Sequence, residues 1–231
     1  MPDRPVSASL RPIDTPERFA GRFDVSRETI ARLQIYEAIL KHWQRGTNLV
    51  APKTLEHIWH RHFADSAQLL THAPDWKTWL DLGAGAGFPG LVIAICAANR
   101  EDVRVHIVES NARKCAFCQE VVRETGCSVE IHEARIESLG AGDKLIGADI
   151  VTARALAPLD RLFELALPFF SAGTMGLFLK GRRAGAEMAD AQMRWECEAQ
   201  LRASATDAQA RIVQIRNLRA RKTGHVEAAD E

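Results

Sequence analysis

The feature that most constrains the fold of this chain is a glycine-rich turn, Gly83–Gly87, with the sequence GAGAG. It directly follows a short apolar segment, residues 78–82, and precedes an apolar helical pattern that begins at Gly90. Glycine tolerates positive φ and lets a bound molecule approach the backbone without meeting a Cβ atom. Such a turn between a strand and a helix is typical of sheets that bind ligands at the carboxyl ends of parallel strands.

Strand-like and helix-like segments alternate through the rest of the chain. The predicted strands are 78–82, 103–108, 128–132, 149–152, 175–179 and 211–215. The predicted helices between and after them are 90–99, 112–125, 159–169 and 184–197. This alternation predicts βαβ units. We therefore expect an α/β, Rossmann-like fold with a mostly parallel twisted sheet and helices on both faces.

The amino-terminal third has a different pattern. Residues 1–24 are proline-rich and predict a flexible lead-in. Apolar residues at spacings of three and four predict one helix after Ser26, and a second helix is expected from about 54 to 71. These two helices would form an N-terminal helical cap over residues 25–75. Residues 76–218 would then form the ligand-binding domain, and 219–231 a basic and then acidic tail.

Composition limits the classes of partner. Thirty Lys and Arg balance thirty Asp and Glu in the 231 residues. Neither a secretory signal nor an apolar run of the roughly 18 residues that span a bilayer is found. We expect a cytoplasmic protein without a membrane partner. Cys115 and Cys118 form a C-x-x-C pair, but the sequence holds no second pair to complete a four-thiolate site, so no metal is expected.

Two cofactor classes use a glycine turn of this kind. Residues 85–90 match the dinucleotide pattern G-x-G-x-x-G, which alone is weak evidence. The alternative pattern D-x-G-x-G-x-G uses Asp81, Gly83, Gly85 and Gly87. A carboxylate there suits the positive sulfonium and amino group of a methionine moiety, directly or through water, whereas it would repel an anionic pyrophosphate. The sequence therefore favours S-adenosyl-L-methionine over NAD.

Two further segments are candidates for this cofactor. Glu109 ends the second predicted strand, where a carboxylate can accept hydrogen bonds from ribose hydroxyls; the alternative is a solvated strand end. After the third strand, Ile136 and Glu137 are predicted to flank the adenine, with Ile136 as an apolar contact.

The methyl acceptor should lie at the end of the fourth strand, which holds Arg154. The sequence there has neither the D/N-P-P-Y/F segment of amino-methylating DNA enzymes nor a Pro-Cys nucleophile. An acceptor that is already nucleophilic, such as guanine N7, needs only positioning. Arg154 could bind a phosphate or the cofactor carboxylate, pair with a guanine edge, or form a structural ion pair.

Basic residues supply candidates for RNA contact. Lys180 follows the fifth strand, Arg61 and His62 lie in the second predicted helix, and Arg219, Arg221 and Lys222 lie in a stretch without acids. Such clusters bind phosphates in some proteins and form a solvated face in others.

Together these segments resemble the bacterial small-subunit ribosomal RNA guanine-N7 methyltransferases, the glucose-inhibited division protein B (RsmG) family. The resemblance extends from about Ile35 to Lys180. The matching segments are Asn48-Leu49, Arg61-His62 with Asp65-Ser66, Gly83–Gly90, Ala153-Arg154-Ala155 and Leu179-Lys180-Gly181. The chain departs from the family at Ala153, where serine is common, and at Phe88, where leucine is usual.

The resemblance implies a class I methyltransferase fold and methyl transfer to guanine N7 in a 16S rRNA loop near the decoding centre. By the same resemblance, Gly83, Phe88, the backbone of Ile136-Glu137 and the catalytic Arg154 would contact the cofactor. The partner would be 16S rRNA or the 30S subunit. A methyltransferase acting on a small molecule or protein remains an alternative. An NAD-dependent oxidoreductase is disfavoured by Asp81 and by the lack of an obvious Tyr-Lys pair.

Overall fold

The computed structural model describes residues 12–73, 75–139, 145 and 147–221. One sheet of seven strands has the order β3-β2-β1-β4-β5-β7-β6. Strands β1 to β5 are parallel, and β7 is antiparallel to both of its neighbours. In chain order the strands are β1 (Thr78–Leu82), β2 (Arg104–Glu109), β3 (Val129–Glu133), β4 (Ile150–Arg154), β5 (Met175–Lys180), β6 (Trp195–Ala203) and β7 (Arg211–Ala220). The carboxyl ends of the five parallel strands therefore meet at one edge, and the predicted Rossmann-like fold is confirmed.

Helices cover both faces of the sheet. The elements before β1 are α1 (Pro16–Phe23), α2 (Arg27–Trp43), α3 (Pro52–Leu55), a π-helical turn (Trp59–Ala64), α4 (Asp65–Ala67) and a 3-10 helix (Gln68–His72). The later ones are α5 (Gly90–Cys96), α6 (Ala112–Thr125), a 3-10 turn (Ile136–Ser138), α7 (Leu159–Ala166), a 3-10 turn (Leu167–Phe169) and α8 (Ala184–Ala191). Alternate strand residues point to opposite faces. Ile107 accordingly joins the core beneath α2, α5 and α6, whereas Val108 joins the core beneath α7 and α8.

The predicted flexible lead-in over residues 1–24 is wrong for α1. The side chain of Thr15 accepts a hydrogen bond from the backbone N–H of Arg18, and Pro16 occupies the first helical turn. Phe19 is fully buried and anchors α1 against Trp59. A capped helix with one anchoring aromatic side chain is ordered despite its proline-rich surroundings. Residues 1–11 lie outside the described part.

The prediction of one continuous helix from about 54 to 71 is also wrong. The first helical turn, α3, ends at Leu55. The chain then forms the wider π-helical turn and returns to α-helical geometry at α4. Single π-helical turns are rare and are frequently found at functional sites. Here the turn places His62, Phe63 and Ala64 in the protein interior.

The carboxy-terminal predictions need two corrections. The helix expected over 184–197 ends at Ala191, and β6 begins at Trp195, whose buried indole donates a hydrogen bond to Asp160. The tail expected from residue 219 does not begin there, because β7 pairs with β6 up to Ala220. Lys222 and the residues that follow lie outside the described part.

The amino-terminal helices share one hydrophobic core with the sheet. Tyr36 of α2 is fully buried and packs against Phe63, Phe88 and Phe117. Its hydroxyl donates a hydrogen bond to the carbonyl of Ala86 in the glycine turn. Helix α2 thus supports that turn directly. None of the described helices has the length and apolar character needed to cross a membrane.

Candidate active site

A cavity of about 510 Å³ lies at the carboxyl ends of β1 to β4, a volume typical of small-molecule sites. The glycine turn forms one wall, and the residues after β2, β3 and β4 form the others. The lining includes seven of the residues predicted to bind the cofactor, namely Gly83, Gly85, Phe88, Glu109, Ile136, Glu137 and Arg154. The parallel strands therefore bring most of the predicted cofactor residues together.

The three glycines of the turn have different surroundings. Gly83, Gly85 and Gly87 all have positive φ, at 66°, 60° and 82°. A Cβ atom on Gly85 would stand in open space, with the Gly83 carbonyl oxygen nearest at 3.9 Å. A Cβ atom on Gly87 would lie 2.6 Å from Cγ of Leu91 and 2.9 Å from the Tyr36 hydroxyl. Gly85 thus keeps the cavity open, whereas Gly87 is required by packing and does not line the cavity.

Asp81 supports the turn from behind. Its carboxylate is fully buried and accepts hydrogen bonds from the backbone N–H of Gly90 and the hydroxyl of Thr152, both at 2.9 Å. Burial raises the pKa of Asp81 to about 7. Asp81 does not line the cavity. The geometry therefore favours a role in joining β1, β4 and α5. An interaction with the methionine moiety, expected to be direct or through water, stays a prediction.

Glu109 faces the cavity and also holds the turn. One carboxylate oxygen accepts a hydrogen bond from the backbone N–H of Gly85 at 2.9 Å, and the other accepts one from the backbone N–H of Asn111 at 2.8 Å. A carboxylate oxygen has more than one acceptor site. Glu109 can therefore keep both bonds and still accept hydrogen bonds from a bound diol.

Ile136 and Glu137 lie on the 3-10 turn after β3. The side chain of Ile136 is buried, so it offers the predicted apolar surface at the cavity wall. The Glu137 carboxylate pairs instead with Arg161 at 2.8 Å on the protein surface. A contact of the Glu137 backbone with the cofactor stays a prediction.

Arg154 is held by the amino-terminal segment. Its Nη2 lies 2.9 Å from Nδ1 of His62, and its Nη1 lies 3.2 Å from the Arg61 carbonyl oxygen and 3.5 Å from an Asp65 carboxylate oxygen. The guanidinium also lies over the Phe88 ring, 4.7 Å from its centroid. Planar stacking and several acceptors together restrict an arginine to one orientation.

The protonation state of His62 follows from this network. Burial lowers the pKa of His62 to about 3, helped by the positive charges of Arg154 and Arg61. A neutral imidazole that accepts from Arg154 at Nδ1 carries its proton on Nε2. Nε2 lies 2.8 Å from the hydroxyl of Thr54, which donates in turn to the Ala51 carbonyl. His62 is therefore a buried, neutral residue that orients Arg154, and the prediction of RNA contact is better met by its exposed neighbour Arg61.

A second cavity of about 470 Å³ adjoins the first. The two share a wall of four residues, namely Leu49, Val50, Arg154 and Ala155. Its lining includes the charged side chains of Arg61, Lys180, Glu187 and Asp207. Arg154 thus lies between the two cavities and lines both of them.

The predicted basic contacts do not all lie at these cavities. Lys180 is mostly buried, with its ammonium 2.6 Å from Glu187 and 2.8 Å from the Ala157 carbonyl. The side chain is therefore engaged within the protein, and its contact with a phosphate stays a prediction. Arg61 is half exposed and pairs with Asp207 at 3.4 Å. It remains a candidate for RNA contact.

Arg219 and Arg221 lie at the other end of the sheet. Strand β7 is antiparallel to β5, and Arg216 pairs with Met175, the first residue of β5. Arg219 and Arg221 follow Arg216, so they lie beyond the amino-terminal end of β5, whereas the cavities lie at the carboxyl ends of the parallel strands. Both arginines also bind Glu196 on β6. The structure therefore separates them from the two cavities.

Some residues that line the first cavity were not predicted from the sequence. Lys114 lies in the first turn of α6, and Leu156 follows β4. Lys114 could have been suspected from its position five residues after Glu109. Val50 carries no chemical signal of its own and is brought to the cavity by tertiary packing.

Comparisons with known proteins identify the family. A family model described as rRNA small subunit methyltransferase G matches residues 29–216. A ribosomal RNA small subunit methyltransferase G from Methylorubrum populi is 50% identical over 205 residues, covering 89% of this chain and 96% of that protein. The protein of the same name from Parvibaculum lavamentivorans is 44% identical over 214 residues, covering 92% and 93%.

A solved structure supports the fold. The O-methyltransferase TomG from Streptomyces achromogenes, solved in complex with SAM, superposes with a TM-score of 0.54 at 13% identity, covering 80% of this chain and 88% of that one. At this identity the likeness concerns the fold alone. The sequence matches carry the assignment: the chain belongs to the rRNA small subunit methyltransferase G family.

Proposed function

We propose that this member of the family uses S-adenosyl-L-methionine to methylate N7 of a guanine in 16S ribosomal RNA, in the cytoplasm. The observation that carries the proposal is the position of Arg154 between two adjoining cavities. One cavity has the features of a cofactor site, and the lining of the other includes the charged side chains of Arg61, Asp65, Lys180, Glu187 and Asp207. A transferase needs two such sites in contact, because the donor and the acceptor must meet at the reacting atoms.

The residues of the first cavity fit the cofactor. The absence of a Cβ atom at Gly85 leaves room for a ligand close to the backbone. Glu109 offers carboxylate lone pairs for ribose hydroxyls, and Ile136 and Leu156 offer apolar surface for an adenine ring. When bound, S-adenosyl-L-methionine supplies an electrophilic methyl group on a sulfonium.

The chemistry of the acceptor explains which residues are needed. Guanine N7 has a free lone pair at neutral pH, and its methylation releases no proton from the base. A general base is therefore unnecessary, in agreement with a neutral His62 that is occupied by two hydrogen bonds. Catalysis then depends on positioning, which is worth several kcal/mol when the reacting atoms are held in line.

Arg154 is suited to that positioning. Arginine has five N–H donors, and the bonds to His62, Arg61 and Asp65 leave donors for a ligand. A donor directed at N7 would occupy the lone pair that must attack. We therefore assign Arg154 to guanine O6 or to a phosphate, with the cofactor carboxylate as a second possible partner. Methylation makes the base cationic. The carboxylates of Asp65, Glu187 and Asp207 line the second cavity, but each is already paired with a cation, namely Arg154, Lys180 and Arg61 in that order.

The experiment that tests this function uses methyl-labelled S-adenosyl-L-methionine. The full chain is incubated in parallel with undermethylated 30S subunits, naked 16S rRNA and bulk protein. The proposal predicts label in 16S rRNA, with the particle and the naked RNA compared to define the form of the substrate. Label in protein, or in neither macromolecule, would favour the alternative of a protein or small-molecule acceptor.

A further inference from the structure

Three potential metal ligands converge on the outer part of the sheet, away from both cavities. His106 lies on β2, and Glu130 and His132 lie on β3. His106 is directly opposite Glu130 in the parallel register, and His132 is opposite Val108. Because side chains alternate along a strand, all three side chains project from the same face.

The distances between their ligand atoms are short. Nδ1 of His106 is 3.2 Å from Nε2 of His132 and 3.5 Å from one carboxylate oxygen of Glu130. Nε2 of His132 is 3.8 Å from the other oxygen. A zinc ion with Zn–N bonds of about 2.0–2.1 Å separates tetrahedral ligands by about 3.3–3.4 Å. The three observed separations bracket this value.

The environment also suits an ion. The side chain of His106 is 9% exposed, that of His132 is 22% exposed and that of Glu130 is 65% exposed. The histidines thus form a partly dry base, and the carboxylate leaves an open side where water can complete a tetrahedron. Two histidines and one carboxylate are a ligand set that zinc uses in proteins.

We propose that His106, Glu130 and His132 form a binding site for a zinc-class divalent ion. This site is separate from the cofactor cavity and does not depend on the proposed function. It departs from the expectation of no metal, which rested on the cysteines. Strand β2 ends at Glu109, and β3 leads to Ile136, so an ion that ties these strands together stabilises one wall of the cofactor cavity.

The test measures zinc binding to the untagged, chelator-treated full chain by calorimetry, with Co²⁺ as a spectroscopic probe. We expect one ion per chain at this site and a visible Co²⁺ ligand-field spectrum with nitrogen ligation. Glu130→Gln and His132→Asn should each weaken zinc binding at least tenfold, since even the loss of a supporting residue costs 10–100-fold. His42→Gln, which changes an exposed histidine on α2, serves as the matched control and should bind like the wild type.

Folding does not confound this test. Glu130 is largely exposed, so Glu130→Gln is expected to fold even if a change at the more buried His106 does not. At the same zinc concentration, the melting temperature should rise less for Glu130→Gln than for the wild type and His42→Gln, because weaker binding stabilises the folded state less. Equal zinc affinity in the wild type, Glu130→Gln and His132→Asn would overturn the site and leave the histidine contact as an ordinary hydrogen bond.

Discussion

Arg154 donates a hydrogen bond from Nη2 to Nδ1 of His62 across 2.9 Å, although the two residues are 92 positions apart in the chain. The bond joins the π-helical turn of the amino-terminal segment to the carboxyl end of β4. It gives the segment Arg61–Ser66 a physical role, because His62 and Asp65 together fix the guanidinium at the boundary of the two cavities.

The hydroxyl of Thr54 should influence the orientation of Arg154 indirectly, through its hydrogen bond with His62. Thr54→Val removes the acceptor for Nε2–H of His62, and a buried donor without a partner costs about 1–3 kcal/mol. We expect kcat to fall about tenfold while the affinity for S-adenosyl-L-methionine stays within about twofold, since 1.4 kcal/mol corresponds to a factor of ten. Steady-state kinetics and calorimetry measure the two quantities.

Thr54→Ser is the matched control, because it restores the hydroxyl without the methyl group. Its kcat should return close to that of the wild type. If the valine and serine variants lose the same activity, the hydrogen bond to His62 does not position Arg154.

Gly85 and Gly87 allow a paired test of the glycine turn. Alanine at either position adopts a left-handed conformation that costs about 1–2 kcal/mol. Gly87→Ala also places its Cβ atom against Leu91 and Tyr36, and such overpacking costs a further 1–3 kcal/mol or so. Gly87→Ala should therefore unfold at a lower denaturant concentration than Gly85→Ala.

When both variants are measured in the folded state, Gly85→Ala should lose more affinity for the cofactor than Gly87→Ala. The added methyl group of Gly85→Ala stands in open space at the cavity wall, where a ligand would meet it. We expect this variant to lose at least tenfold in affinity for S-adenosyl-L-methionine. Wild-type affinity in Gly85→Ala would show that the ligand does not approach this part of the turn.

Asp81 should make stability depend on pH. Its folded pKa of about 7 lies above the ordinary value of 3.8, so between these pH values the folded chain holds a proton that the unfolded chain releases. The contribution of Asp81 to stability therefore decreases as pH rises from about 4 to 7. The depressed pKa of His62 acts in the opposite sense below pH 6.5, so the comparison must be between variants.

Asp81→Asn is the informative variant, because the amide is neutral at every pH. Its oxygen can accept from the Gly90 N–H, and its NH₂ can donate to the Thr152 hydroxyl in place of the bond that Asp81 accepts. Its free energy of unfolding relative to the wild type should increase between pH 4 and 7 by at least about 1.4 kcal/mol, the value of one pKa unit. Denaturant titrations at several pH values measure this difference, and a flat difference would contradict the raised pKa. Cofactor affinity of Asp81→Asn should stay near that of the wild type, since the carboxylate does not line the cavity.

The sequence predicted those features that depend on local pattern. The strand, the glycine turn and the following helix are contiguous, and parallel strands place their carboxyl ends at one edge. Glu109 and Arg154 could therefore be assigned to one site from their positions at strand ends. The same reasoning placed Asp81 beside the glycine turn. It could not predict the direction of the side chain, which is set by hydrogen bonds from Gly90 and Thr152.

Features that depend on distant pairing were not predictable in this way. Strand β6 is largely exposed and contains Glu, Ala and Gln, which favour helix, so only its pairing with β7 defines it as a strand. The sequence suggested that the ammonium of Lys180 is free to contact a phosphate. Its partner Glu187 is seven residues away in the chain and comes close to Lys180 only because α8 folds back against β5. His106 and His132 meet only because the register of β2 and β3 brings them together.

The methylated atom can be identified by chemical cleavage of the RNA product. Methylation at N7 makes the guanine sensitive to borohydride reduction, after which aniline cleaves the strand at that nucleotide. The most direct measurement treats undermethylated 16S rRNA or 30S subunits with S-adenosyl-L-methionine and the chain, and maps cleavage by primer extension. Arg154→Lys is the matched control, because it keeps the positive charge but loses the planar fork that His62 and Asp65 orient.

We predict a single cleavage at one guanine of 16S rRNA with the wild type, and a signal reduced at least a hundredfold with Arg154→Lys, whose Tm should remain within a few degrees of that of the wild type. Incorporation of the methyl group into 16S rRNA without such cleavage, or equal cleavage by Arg154→Lys, would contradict the account of N7 methylation positioned by Arg154.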